Sequence, residues 1–206
     1  MINISQKQFG SQTARTRGAA ALLALLSVLG AGAWRGHVSK PVVDDPTISL
    51  VANLTERKLT ILQGDNVVES FPIAIGKGSK PTPRGHYSIR KIVWNPAWVP
   101  PDEPWAKNKS PQPPGAKDNP MKLVKMFFQE PDYYIHGTSE VESLGEAASH
   151  GCLRMDADDA YRVARYLMEH GGQPRDESWF WRVLHVRSET KTVYLDHPIP
   201  LSVTGD

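Results

Sequence analysis

The chain of 206 residues has one cysteine, a formal charge of only +2, and no apolar run long enough to read as a comfortable membrane span. Each shortage excludes something. A lone cysteine closes no internal disulfide, so Cys152 is a buried small hydrophobe, an intermolecular bridge or a reactive thiol. The 24 basic and 22 acidic residues are interspersed, which leaves no basic face of the kind that neutralises a phosphate backbone. Nucleic acid is therefore not expected as a partner.

The longest uncharged apolar run, Ala19 to Ala33, follows Lys7, Arg15 and Arg17. It falls short of the ~20 apolar residues of a spanning helix and ends in the small-x-small pattern Ala31-Gly32-Ala33. This is the layout of a secretory signal, with cleavage expected before Trp34. The alternative is an uncleaved anchor, in which Leu22 to Leu29 stay in the bilayer while flanking residues snorkel to the interface. In both readings the folded part is exported to the periplasm or cell envelope, held at the inner membrane in the second. The expected organisation is a signal peptide or anchor over residues 1–33, a linker over 34–46, and one domain over 47–206. About 160 residues suit a single domain with a real core.

The first half of that domain predicts strands. Ile48 to Leu54, Lys58 to Leu62 and Val67 to Ile75 are short, rich in β-branched residues and separated by turn chemistry, with Gln63-Gly64-Asp65-Asn66 as a hairpin loop. His86 to Trp94 is another such run, after Lys80-Pro81-Thr82-Pro83-Arg84-Gly85, where two prolines fix φ and remove ladder donors. Met121 to Phe128, Tyr133 to His136, Val183 to Val186, Thr192 to Leu195 and Ile199 to Val203 add further candidates. The implied class is mainly β, a sandwich or barrel-like sheet pair.

One helix is predicted after the cysteine. Ala160, Val163, Ala164, Leu167 and Met168 recur at the spacing of a single buried stripe, Asp156 offers an N-cap, Asp159 favours the positive end, and Gly171 offers a left-handed C′ residue. Between Asn95 and Pro120 lies a long segment holding eight of the 17 prolines, together with Trp98 and Trp105, and showing neither period. It reads either as a stiffened surface excursion or as the wall of an extended groove suited to a linear peptide.

The chemistry-bearing residues lie between these elements. Ser149-His150-Gly151-Cys152-Leu153-Arg154-Met155 follows Ile135-His136-Gly137-Thr138, and the pairing of a thiol with imidazoles points to covalent catalysis. At pH 7 only about 3% of a free cysteine is thiolate, so ionisation alone raises reactivity by at most about thirtyfold. The remaining acceleration has to come from fixed geometry and from donors aimed at a developing oxyanion, here the backbone N–H groups around Gly151 and Cys152. Spacing alone does not choose between His136 and His150 as base. His136 is preferred because it sits in an apolar, strand-like mount, where a carbonyl such as that of Gly137 can hold its other ring nitrogen.

These residues resemble the L,D-transpeptidases of bacterial peptidoglycan, with their YkuD-type catalytic domain. His136-Gly137-Thr138, a spacer containing Gly145, and Ser149 to Met155 match that family's pattern without a break. Gly76, Pro81-Thr82-Pro83, Gly85, Asn95-Pro96, Pro113-Pro114-Gly115 and Asn119-Pro120 resemble its envelope members, and the similarity runs from about Ser49 to Val203. The departures are Met121-Lys122, where many relatives have an apolar residue and glycine, and the lack of a separate wall-binding repeat.

The resemblance implies a mainly β, barrel-like domain with a helix after the cysteine loop. It implies Cys152 as nucleophile, His136 as base, the Gly137 carbonyl as its orienter, and the backbone at Gly151 and Cys152 as oxyanion site. Ser149 and His150 complete the motif, and Arg154 either braces the loop or meets a substrate carboxylate. The implied reaction is attack on the L-centred third residue of a tetrapeptide stem, release of D-alanine, and transfer from the thioester to an amine. The implied partners are stem peptides as donor and acceptor, with an envelope lipoprotein, water or a free D-amino acid as other acceptors, and no cofactor or metal. Two rivals stand beside this reading: a zinc site drawing on His136, His150, Cys152 and Glu142 or Glu146, which matches no common zinc spacing, and a silent wall-binding protein.

Overall fold

The computed structural model describes residues 47–205. The expected signal or anchor over 1–33 and linker over 34–46 lie outside the described residues.

The described chain runs β1 (Ile48–Asn53), β2 (Lys58–Gln63), β3 (Asn66–Pro72), β4 (Ile75–Gly76), β5 (Gly85–Trp94), β6 (Val124–Gln129), β7 (Tyr133–Thr138), β8 (Ala147–Ser149), β9 (Leu153–Asp156), α1 (Ala157–His170), α2 (Glu177–His185) and β10 (Lys191–Thr204). Eight strands form one sheet in the order β3-β2-β1-β10-β5-β6-β7-β9, and β4 pairs with β8. The mainly β class expected from the sequence is the one observed. Pairing is antiparallel except for β1 with β10, β7 with β9 and β4 with β8.

The sheet nearly closes on itself. Ala74, just past β3, exchanges both backbone hydrogen bonds with Arg154 of β9, at 2.8 and 2.9 Å. The two edge strands thereby meet, which satisfies ladder groups that an open edge would leave to water or to another chain. Inside are the alternate residues of each strand, among them Leu50, Ile61, Ile92, Met126, Ile135, Leu153, Met155 and Leu201, all under 2% exposed. Burying each large aliphatic side chain is worth about 1.5–3 kcal/mol.

Helix α1 forms as its sequence dictates. The Asp156 carboxylate accepts from the N–H groups of Asp158 and Asp159, and the buried stripe is Ala160, Val163, Ala164, Leu167 and Met168. Its end corrects the expected cap: Gly171 has φ −89° and Gly172 takes the left-handed conformation at φ +81°. Gly171 is instead needed for packing, since a Cβ there would lie 2.9 Å from a Leu195 methyl.

Two other local expectations are corrected. Val183 to Val186 is not a strand, because Val183 lies inside α2, capped by Asp176, whose side chain accepts from the Trp179 N–H. Phe180 and Val183 are the buried residues of α2, and Trp94 meets Tyr161, Trp179 and Phe180 edge-on at 5.8 Å each. Such contacts add about 0.5–1.5 kcal/mol apiece beyond burial, enough to settle a short ambiguous run as helix. Thr192 to Leu195 and Ile199 to Val203 are one strand, β10, whose pairing with β5 is interrupted by a bulge between Tyr194 and Ile199. The Gly64-Asp65 turn joins β2 to β3 as expected, with Gly64 at φ +58°.

The 95–120 segment is ordered by its polar residues. Asn95, fully buried, donates to the Val183 carbonyl at 2.8 Å and accepts from Arg187 at 2.8 Å. Asn119 donates to the Pro96 carbonyl at 2.8 Å, and Trp98 exchanges backbone bonds with Gln112. A one-turn 3-10 helix at Pro104–Ala106 carries Trp105. Among the described residues no helix is long and apolar enough to cross a membrane.

Candidate active site

Strand register decides which side chains share a face. β7 and β9 run parallel with Ile135 opposite Leu153 and His136 opposite Arg154. Because alternate residues point to opposite faces, Ile135, Leu153 and Met155 enter the core, and Tyr134, His136 and Arg154 share the other face, where Tyr134 and Arg154 also act on the Cys152 sulfur. On β6, Lys125 lies opposite His136 and Phe127 opposite Tyr134, which extends that face by another strand. Cys152 lies in the bend immediately before β9, two residues ahead of Arg154, the partner of His136.

The loop carrying Cys152 is held by its own serine. The Ser149 hydroxyl, buried to 1% exposure, donates to the Cys152 carbonyl at 2.6 Å and accepts from the Gly151 N–H at 3.1 Å. Gly151 has φ +112°, a conformation L side chains rarely adopt, and a Cβ there would sit 2.7 Å from the Tyr133 ring. Only glycine fits both constraints. β8 pairs with β4, and the Ser149 carbonyl accepts from the Lys77 N–H at 3.1 Å, tying the loop to the body.

His136 is buried, and its Nδ1–H donates to the Gly137 carbonyl at 2.8 Å. Burial pushes its pKa down to about 4, the Arg154 and Lys125 charges push the same way, and the Gly137 and Pro120 carbonyls oppose the drop. At neutral pH the ring is therefore neutral, with Nε2 left as the acceptor nitrogen. The Cys152 thiol donates to the Asp132 carbonyl at 3.4 Å. Burial pushes its pKa up to about 11, against the opposing effects of the Tyr134 N–H and hydroxyl, Arg154 and Lys125. The resting pair is a neutral thiol and a neutral imidazole.

The remaining candidates have separate places. Arg154 forms a salt bridge with Glu140 at 2.8 Å. His150 stacks on Trp105, with centroids 3.9 Å apart and planes 11° from parallel. Burial holds its pKa below the ordinary value, helped by Lys77, Arg154 and Lys80. Lys80 in turn pairs with Glu103 at 2.7 Å, one residue before the Pro104–Ala106 turn. The proline-rich segment therefore docks beside the cysteine loop, with Trp105 against His150. Among the described residues no group of three His, Cys, Asp or Glu side chains gathers as a metal site. Sequence reading passed over Tyr134 and Lys125. Counting back two residues from His136 was enough to place Tyr134 on the same face, whereas Lys125 needed the β6–β7 register.

A nearly closed, mainly β domain with a buried histidine on one outer sheet face and a cysteine in the bend before the adjacent strand is the class that fold and site define. The model of the YkuD family, described as the L,D-transpeptidase catalytic domain, matches residues 47–188, and the chain belongs to that family. It is 30% identical over 165 residues to the probable L,D-transpeptidase ErfK/SrfK of Salmonella typhimurium, covering 76% of this chain and 47% of that protein. The probable L,D-transpeptidase ErfK/SrfK of Escherichia coli is 34% identical over 129 residues, 59% of this chain and 40% of that one. The chain spans about half the length of the curated relatives it matches. The solved structure of an L,D-transpeptidase from Mycobacterium smegmatis aligns with TM-score 0.49 and 18% identity, over 76% of this chain and 58% of that chain.

Proposed function

We propose that this domain is an exported peptidoglycan L,D-transpeptidase that works through a Cys152 thioester. The observation that carries the reading is His136, beside Arg154 in register and just past the Cys152 loop, with its Nδ1 committed to the Gly137 carbonyl. That bond fixes the tautomer and leaves Nε2 to take the thiol proton.

The sulfur turns from the Asp132 carbonyl toward His136, its proton passes to Nε2, and the C–S bond forms at the carbonyl of the L-centred third stem residue. The imidazolium so made is cationic beside two carbonyls, Gly137 and Pro120, which favour it. The anionic sulfur and oxyanion develop near Arg154 and Lys125, which favour negative charge. The Gly151 N–H is held by Ser149, so the Cys152 N–H is the backbone donor assigned to the oxyanion. The C–N bond then breaks, with the His136 proton going to the departing D-alanine amine. An acceptor amine attacks the thioester, gives its proton to His136 and regenerates the thiol. Trp105 and the 95–120 segment wall the groove in which the stem lies.

The test is incubation with defined tetrapeptide muropeptides, with and without an amine acceptor, followed by product mass analysis. Dimers with 3→3 links are the expected products, lost in Cys152→Ala. Tripeptide alone would reassign the domain as an L,D-carboxypeptidase, and products that need a lipoprotein lysine would make it a ligase. A carbapenem is expected to add its mass to Cys152. No adduct and no turnover would leave a silent wall-binding protein.

A further inference from the structure

We propose that Tyr134 is a further catalytic residue, its phenol hydroxyl donating a hydrogen bond to the Cys152 sulfur as the thiolate forms. Lys125 is the positioning residue behind it, its ammonium held against the face of the Tyr134 ring. The inference rests on the reading of Cys152 as nucleophile and deepens it.

The register brings these groups together from three strands. Phe127 and Tyr134 are opposite, as are Lys125 and His136, and the β9 pairing begins at Ile135–Leu153, one residue past Cys152. The Tyr134 side chain thus stands on the face that meets the cysteine loop, and its N–H and hydroxyl oppose the rise that burial imposes on the thiol's pKa. The Tyr134 ring lies 5.2 Å from Phe127 in an edge-to-face contact and 5.5 Å from the His136 ring, which fixes where the hydroxyl points. The Lys125 ammonium stands 4.9 Å from the Tyr134 centroid and 5.3 Å from that of Phe127.

The charges on this face separate the roles. From β5, Lys91 faces the patch but is paired with Glu130 at 2.5 Å. From β9, Arg154 is paired with Glu140 at 2.8 Å, and Asp132 precedes β7. Lys125, on β6, has no carboxylate partner among the described residues and is only partly exposed. Burial pushes the Lys125 pKa down and the Cys152 sulfur pushes it back up, because a half-buried cation is costly without a counter-charge and the anion within its field is the thiolate that forms during attack. His136 stays neutral until it takes the thiol proton, so it supplies no resting imidazolium to hold that anion. Burial keeps the Tyr134 phenol protonated well beyond its ordinary range, so it donates throughout and gives up no proton itself. A hydrogen bond to an ionised acceptor is roughly twice as strong as a neutral one, so Tyr134 favours the reacting sulfur over the resting thiol. The cation on the ring face polarises the phenol in the same sense.

The experiment follows alkylation of Cys152 by iodoacetamide from neutral into alkaline pH, using the full chain as wild type, Tyr134→Phe, Lys125→Met, Lys125→Arg and the Tyr134→Phe/Lys125→Met double variant. Tyr134→Phe and Lys125→Met are each expected to move the profile to higher pH and slow labelling at fixed pH by about three- to tenfold, the size of half to one pKa unit. Lys125→Arg is expected to keep the wild-type profile, and the double variant to fall no further than the worse single one. Tetrapeptide turnover should lose kcat with KM within about twofold, as expected for an interaction made only in the transition state. Profiles that superimpose on wild type in both single variants, with unchanged thermal unfolding, would overturn the assignment and leave the lysine as mere packing. If Tyr134→Phe does not fold, Lys125→Met against Lys125→Arg decides alone. Labelling reads the thiol without any stem peptide, so a wild-type enzyme that turns over no stems defeats the transpeptidase reading and leaves this test standing.

Discussion

The Ser149 hydroxyl donates to the carbonyl of Cys152 at 2.6 Å, so the residue that opens the loop fixes the backbone of the residue that carries the thiol. The same oxygen accepts from the Gly151 N–H, closing both ends of the turn with one buried side chain. Ser149→Ala leaves a buried donor and a buried acceptor unpaired, at a cost of about 1–3 kcal/mol for such a group. A loop displaced by about 1 Å can cost on the order of a hundredfold in rate. Ser149→Ala is therefore expected to lower kcat/KM far more than its thermal unfolding suggests. Parallel melting and muropeptide kinetics check it, and a variant with wild-type kcat/KM would show that the hydroxyl does not place the thiol.

What could be read from the sequence divides by the distance over which each interaction acts. The α1 stripe and its Asp156 cap were legible because both depend on residues within two turns. The Gly64-Asp65 turn was legible for the same reason. Val183 to Val186 misled because three apolar residues around His185 fit either period, and the helix that holds them packs its Trp179 and Phe180 on Trp94, some 90 residues earlier. β9 was hidden because Leu153 to Asp156 gains strand character only from parallel pairing with β7. At the site, the cysteine and histidine motifs were visible as types. The neutral resting pair, the Ser149 staple and the Lys125–Tyr134 contact all depend on register and burial, which a linear pattern does not carry.

Burial of His136 makes a statement about stability in acid. The folded-state pKa of about 4 lies below the ordinary 6.5, so between these values the unfolded chain takes up a proton that the folded chain refuses. Folding stability is unaffected by this group above about pH 6.5 and falls as pH drops from there to about 4, by on the order of 3 kcal/mol in total. His136→Gln removes the titration. Its denaturation free energy is expected to fall less than that of wild type over the same window, and denaturant titrations at several pH values compare the two. Parallel slopes would mean that the ring accepts a proton in the folded state near its usual pKa.

Gly151 is constrained twice, by φ +112° and by the Tyr133 ring. Gly151→Ala is expected to cost about 1–3 kcal/mol from backbone strain, to add a clash, and to remove most activity by moving the thiol. Adding Tyr133→Leu relieves only the clash. The double variant should therefore regain part of the melting temperature and little of the kcat/KM. Full recovery of both would assign the whole effect to the ring and none to the left-handed backbone.

Trp105 stacks on His150 with the planes 11° apart, and it is 36% exposed, so the indole has one face on the motif and an edge toward solvent. His150 is held toward its neutral form by burial and by the Lys77, Arg154 and Lys80 charges, which makes the contact a stack of two neutral rings. Trp105 belongs to the 95–120 segment, which is fixed independently at Asn95, Asn119 and the Trp98–Gln112 bridge. Removing the indole therefore leaves the segment anchored and takes away the wall proposed for the stem. Trp105→Ala is expected to change thermal stability little and to raise KM for tetrapeptide donors with kcat nearly kept. An aromatic contact worth about 0.5–1.5 kcal/mol corresponds to a KM change of roughly two- to twelvefold. Steady-state kinetics with stem donors of increasing length measure it. A fall in kcat at constant KM would show instead that the stack orients His150 for the chemistry and that the stem does not lie against Trp105.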